Sequence, residues 1–368
     1  VDFGQGDDDM LMPASEAELA DTIASAREPL AIRGGATRGI SVEGTPLSVA
    51  ANSGITLYEP GALTVVARAG TPVAEIEAAL AAENQMLAFE PMDHRAVLGT
   101  SGEPTIGGVV ATNTSGPRRV QAGACRDFLL GVRFVDGHGT VVKNGGRVMK
   151  NVTGYDLARL MCGAHGTLGV LTEVSFKTLP RREDTATLVY PNTGFDTAAR
   201  LFPRAMGSPF EVSGAARLPD GRALVRIEGF ADSVAYRTKK LSEALAEFGT
   251  PDIDRDPALW TAVRDVTPLA GREGDLWRLS ITPTDLPKVA DRVGGEILVD
   301  WAGGRLWVLT AAGTDLRAKL AGVPGHATLI RGTVRPTFHP EAAPLAKMAA
   351  GLRGRFDPKG ILNPGLMG

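Results

Sequence analysis

The chain has 368 residues, 43% hydrophobic and 22% charged, so it is too long for one compact core and too apolar for extended disorder; two lobes are expected. A net charge of -3 offers no basic field to gather phosphates along a duplex, which argues against nucleic-acid binding. Two cysteines, Cys125 and Cys162, are too few for an iron–sulfur cluster, and no stretch approaches the roughly 18 apolar residues of a bilayer span, so a reduced cytoplasmic setting is expected, peripheral to a membrane only through partners.

Residues 1–9 are acidic and aperiodic and read as a loose leader. Ser15 and Glu18 have capping-box spacing, and Leu19, Ile23 and Ala26 follow at helical intervals, which predicts a helix over 16–27 and then a strand over 30–33. Thr71 and Pro72 look like the N-cap and first residue of a second helix with Val73, Ile76 and Leu80 on one face, ahead of the apolar run 86–89. From Gly99 to Gly169 glycine is dense and the intervening pieces are short and β-branched, as in 128–135 turning through 136–139 into 140–143; a mixed sheet with elaborate loops is expected. Around 178–183 the glycine density falls, which sets a domain boundary there.

The following half carries an internal echo. Strand 185–190, helix 195–206, strands 211–218 and 222–230 across Asp220-Gly221, and helix 233–248 form one unit. Strand 276–282, helix 286–293, strands 296–301 and 305–310 across Gly303-Gly304, and helix 316–321 repeat its order, so both should share one antiparallel sheet with helices on a single face. The segment from Arg335, with a helix over 341–352, resembles neither unit and is expected to return to the first domain. The tryptophans Trp260, Trp277, Trp301 and Trp307 read as packing residues or part of a partner surface.

Three glycine-rich blocks could carry chemistry. Arg33-Gly34-Gly35-Ala36-Thr37-Arg38-Gly39 directly follows the first strand; glycines let backbone N–H groups converge, which suits a pyrophosphate, and Arg33 or Arg38 could add charge. The alternative is an ordinary tight turn. The second block, 104–116, combines small residues with hydroxyl and amide donors, or is a buried glycine-rich connection. The third comprises 150–157 and 163–174. None has the G-x-G-x-x-G spacing of a dinucleotide fold, and no P-loop lysine follows, so a different nucleotide-binding architecture is required.

These blocks in this order, closed by Phe356-Asp357-Pro358-Lys359-Gly360-Ile361-Leu362-Asn363-Pro364-Gly365, resemble the FAD-linked oxidases of the vanillyl-alcohol-oxidase family over the first half and last turn of the chain. Within that family the chain is most similar to the smaller FAD-binding subunits of bacterial glycolate oxidases. The resemblance implies an α+β fold: a two-lobed PCMH-type FAD-binding domain over 10–182, completed by 335–368, with an inserted antiparallel-sheet cap over 183–334. It implies that Arg33, Gly34, Gly35, Ala36, Thr37 and Arg38, with Thr105, Ile106, Gly107 and Gly108, flank the FAD pyrophosphate. Asn113, Gly116, Gly123, Gly166, Gly169, Val170 and Leu171 would border the nucleotide, and Asn363 the isoalloxazine side. A larger homologous flavoprotein and an iron–sulfur protein are the implied partners, and a small 2-hydroxy acid the implied substrate.

Two departures from the family pattern matter. Members with covalently bound flavin often carry a histidine in the first loop, where this chain has Ala36, Thr37 and Arg38, so the FAD is expected to be dissociable. Related dehydrogenases use a metal and histidine cluster in the substrate domain, whereas 185–332 contains only His326, and the five histidines show no ligand spacing, so no metal site is expected. No catalytic residue is assigned: His339 could be a general base near the flavin or a capping histidine, and Lys150 and Tyr155 could reach a substrate carboxylate or, for the tyrosine, sit in the core. The chain is thus expected to transfer electrons from a hydroxy acid through flavin as a subunit. The alternatives are a stand-alone dehydrogenase and a non-catalytic flavin-bearing subunit.

Overall fold

The computed structural model describes residues 10–147 and 154–367. The first helix, Glu16–Ser25, begins where Ser15 accepts from the Glu18 N–H, while the Glu18 carboxylate reaches back to the Ala14 N–H. It buries Leu19 and Ile23 against a parallel pair, β1 (Leu30–Arg33) and β2 (Thr45–Ser48). The C-terminal turn joins the same small core through Ile361 and Leu362, with the Leu30 N–H donating to the Ile361 carbonyl.

Seven further strands complete this lobe: β3 (Ile55–Glu59), β4 (Thr64–Arg68), β5 (Gln85–Met86), β6 (Leu129–Val135), β7 (Val141–Gly145), β8 (Val170–Lys177) and β9 (Leu179–Pro180). Five of them form a sheet in the order β3–β4–β8–β6–β7. Every pairing in it is antiparallel, so the expected mixed sheet is corrected: β8 returns between β4 and β6 and runs opposite to both. The apolar run after Gln85 gives only a two-residue strand, because Leu87, Ala88 and Phe89 leave the ladder for the core, where Phe89 packs on Phe128 and Phe176. The helix after Thr71 starts one residue later than expected, at Val73; Thr71 instead donates to the Arg68 carbonyl and accepts from the Gly54 N–H.

The second sheet is built from β10 (Asp184–Tyr190), β11 (Val212–Arg217), β12 (Ala223–Gly229), β13 (Asp252–Asp254), β14 (Asp275–Ile281), β15 (Glu296–Asp300), β16 (Arg305–Thr310) and β17 (Gly325–Arg331). Their order is β13–β10–β12–β11–β15–β16–β14–β17, and the two repeat units meet at β11 and β15 through a single registered pair, Arg217 and Val299. The helices Phe195–Met206 and Leu286–Val293 match their expected bounds and bury one face of the sheet. The other face is also covered, by Trp260 and Val263 of helix Ala258–Asp265 and by Met92 and Val97 of the first lobe. The expectation of helices on a single face is therefore corrected. Residues pointing both ways from β12 are buried, so neither side of this strand faces water. No described helix is long and apolar enough to cross a membrane.

Candidate functional site

One cleft of about 410 Å³ runs through the first lobe. Arg33, Gly34, Gly35, Ala36, Thr37 and Arg38 line it, with Thr105, Gly107, Gly108, Gly166, Gly169, Val170, Leu171 and Asn363. Loops far apart in sequence meet here because their backbones interlock: a Cβ on Gly35 would sit 1.7 Å from the Glu103 carbonyl oxygen, and the Thr100 hydroxyl donates to the Thr37 carbonyl at 2.8 Å. Thr105 caps the short helix Ile106–Ala111 by accepting from the Gly108 N–H, and the bare Cα of Gly108 leaves space for the Arg38 guanidinium, whose Nη1 would lie 2.6 Å from a Cβ.

Four residues that the resemblance placed at the cofactor lie off the cleft walls. Ile106 points into the core. Asn113 braces two helices, its Oδ1 accepting from the Arg126 N–H at 3.2 Å and from the Cys162 thiol at 3.6 Å. Gly116 is buried between the lobes, where its carbonyl accepts from Trp301 Nε1 at 3.0 Å. Gly123 ends helix Arg119–Ala122, against Asp127. Conversely, Ile32, Ile40, Thr100, Ser101, His165 and Leu366 line the cleft without having been singled out. Thr100 and Ser101 stand between Gly99 and Gly102, the same signal that marked the first block, and His165 lies inside the third.

The cleft carries an unbalanced charge. Arg38 Nε and Nη2 are buried with no hydrogen-bond partner among the described residues, and burial lowers the guanidinium pKa to about 10. An unpaired buried cation is costly, and the group that relieves it is an anion. At the other wall, Asn363 ties three segments together: its Oδ1 accepts from the Ile32 N–H at 2.7 Å and its Nδ2 donates to the His165 carbonyl at 2.8 Å. His165 stands edge-on to Phe338 at 4.9 Å, its Nδ1 buried and unpartnered among the described residues. Burial, then Arg278 and Arg38, lowers its pKa to about 3, so the imidazole is neutral.

His339 is engaged elsewhere, its Nδ1 accepting from the Ala327 N–H at 3.3 Å beside His326. Tyr155 is 88% exposed, so the core reading is corrected, and Lys150 lies outside the described residues, as does the rest of 148–153. Trp260, Trp277 and Trp307 are buried packing residues, while Trp301 is held between Arg119 and Arg305. Among the described residues no group of histidine, cysteine and carboxylate side chains could hold a metal.

Residues 10–145 match the FAD binding domain family. Across 357 residues, 95% of each chain, the sequence is 36% identical to glycolate oxidase subunit GlcE of Escherichia coli K12. The chain belongs to the FAD-linked oxidases of the vanillyl-alcohol-oxidase family. It is also 40% identical to glycolate oxidase subunit GlcD of Bacillus subtilis over 96 residues, 26% of this chain and 20% of that one. To D-lactate dehydrogenase of Archaeoglobus fulgidus it is 28% identical over 211 residues, 54% and 46% of the two chains. Alkyldihydroxyacetonephosphate synthase has the same α+β fold, with a TM-score of 0.70 at 14% identity, covering 97% of this chain and 75% of that one.

The protein is an FAD-dependent oxidoreductase. The residues fit that cofactor: glycine turns free of side chains border the cleft, and the unpartnered Arg38 guanidinium calls for the anion that a diphosphate supplies.

Proposed function

We propose that this chain is the FAD-binding subunit of a glycolate-type 2-hydroxy acid oxidoreductase, working with a larger homologous flavoprotein and an iron–sulfur protein. The end-to-end similarity to a glycolate oxidase subunit carries the reading. In it, the N–H groups of 33–38 and the Arg38 guanidinium hold the FAD diphosphate, Gly107 and Gly108 leave it room on the facing wall, and Asn363 fixes the wall beside the ring. Bound FAD supplies a two-electron acceptor for the hydride on the α-carbon of the hydroxy acid.

The partner half of the reading draws support from the returning segment. No residue from Gly332 to Phe356 is buried, although it contains the helix Ala343–Phe356 with Leu345, Met348 and Leu352 exposed on one stripe. A helix of this length containing Gly351 and Gly354 is marginal in water and is normally held by tertiary packing. Its charged residues are all cations, Lys347, Arg353 and Arg355, so pairing with a second copy of itself would bring like charges together. We assign it to an apolar groove rimmed by carboxylates on the larger flavoprotein. Leu345→Asp with Met348→Asp should abolish copurification with that subunit while leaving flavin content intact; an undisturbed complex rejects the assignment.

Anaerobic mixing with glycolate or D-lactate tests the activity. The subunit reading expects the flavin band of the isolated chain to persist until the larger flavoprotein is added. Rapid bleaching of the chain alone replaces it with the stand-alone dehydrogenase reading. A correctly folded chain that takes up no FAD in calorimetry removes both.

A further inference from the structure

Along β14 the residues alternate between the two faces of the sheet. Trp277 and Leu279 enter the core beneath the helices, while Leu276 enters the cluster shared with Met92 and Val97 of the first lobe. Arg278 therefore stands on the face turned to the first lobe. Its guanidinium makes no hydrogen bond or ion pair with any described residue. It is half-buried, and burial and then the nearby Arg119 lower its pKa.

The neighbouring cations are already engaged. Arg305 donates to the Ser115 carbonyl at 2.8 Å and stacks on Trp301 at 3.2 Å. Arg119 covers Trp301 at 4.0 Å. Asp93, a carboxylate whose charge reaches Arg38, is held by Arg95. Arg278 lies close enough to His94 and His165 to lower the pKa of both, and His165 is a wall of the cleft. An open guanidinium fork thus faces the first lobe beside the proposed flavin site, next to neutral imidazoles that add no competing charge.

We propose that Arg278 is the anchor for the carboxylate of the substrate, at a subsite between the lobes bordered by His165. The inference rests on the 2-hydroxy acid reading and deepens it. A guanidinium presents two parallel N–H donors that match the two oxygens of one carboxylate, which lysine's single ammonium does not reproduce. One open fork serves one carboxylate, so the ligand class is a 2-hydroxy monocarboxylate.

The test uses the FAD-loaded chain and 2-hydroxyisobutyrate, a 2-hydroxy monocarboxylate that has no α-hydrogen and cannot be oxidised. Calorimetry should show binding to the parent protein, weakened about 10- to 100-fold in Arg278→Met, the range expected for charge-assisted hydrogen bonds, and less in Arg278→Lys. Glycolamide, which keeps the hydroxyl and replaces the carboxylate with a neutral amide, should bind neither protein measurably. Flavin absorbance and melting temperature of the variants report that fold and cofactor are retained. Equal affinity in parent and Arg278→Met overturns the proposal, as does no binding to the FAD-loaded parent, or phosphate binding as tightly as the hydroxy acid. These readouts do not depend on turnover: a chain that binds the analogue through Arg278 but never bleaches with glycolate would sustain the subsite and reject autonomous catalysis.

Discussion

Glu228→Gln should lower the melting temperature by about 4 °C at pH 7. Glu228 belongs to a buried network that crosses between the lobes. Arg118 donates to its two carboxylate oxygens at 2.8 and 3.0 Å, and Arg226 donates to Glu90 at 3.0 and 3.1 Å. Burial by itself would raise the Glu228 pKa, but Arg226 and Arg118 outweigh it and hold the carboxyl at about 2, against 4.5 in an unfolded chain. That difference corresponds to about 3 kcal/mol of stability, in line with the cost of leaving a buried cation without its partner. Spread over the unfolding entropy of a chain of this length, it gives the shift of about 4 °C. Because the folded pKa is depressed, the contribution is complete above pH 4.5 and disappears as the pH falls through about 2. Calorimetric melts of parent and variant should therefore differ most near neutrality and converge in acid. A Glu228→Met, Arg118→Met pair should recover part of the loss by removing both charges. Equal melting temperatures at pH 7, or a difference that does not shrink between pH 5 and 3, would refute the reasoning.

Arg38→Met should weaken FAD binding by about 10- to 100-fold in calorimetry while the FAD-free protein melts no lower than the parent, since an unpaired buried cation is removed. Acid precipitation should release the yellow colour into the supernatant, because Ala36, Thr37 and Arg38 offer no histidine for a covalent link; colour held in the pellet would contradict this. Asp300 has the opposite sign to Glu228: burial raises its pKa from 3.8 to about 6, so its contribution is complete below pH 3.8 and is lost as the pH rises through 6. Asp300→Asn should accordingly melt higher than the parent at pH 7.5 and level with it at pH 4, in scans at both pH values.

The glycine blocks were legible because close backbone approach and unusual φ angles need glycine wherever they occur, and that need is written locally. Helices such as Phe195–Met206 and Leu286–Val293 were legible for a similar reason, since their apolar spacing is a property of a dozen consecutive residues. Strands β13 and β17 and helix Ala258–Asp265 escaped, being short or half-exposed and held by contacts with distant strands. Gly116 shows the limit most clearly. In sequence it is one more glycine in a candidate phosphate loop, and in the folded chain its carbonyl serves Trp301 across the lobe boundary, 185 residues away.

By itself the sequence determined the kind of chemistry available: glycine turns able to hold a diphosphate, no set of residues for an iron–sulfur cluster, and no histidine at the place of a covalent flavin link. Tertiary structure alone decided which charges are left over. Arg38, Arg118, Arg226, Arg278 and Arg305 are equivalent letters in the chain, yet two are matched by Glu90 and Glu228, one stacks on Trp301, and two keep open forks among the described residues. Burial and pairing are relations between segments that folding brings together, and a cation's need for a ligand arises only from that juxtaposition.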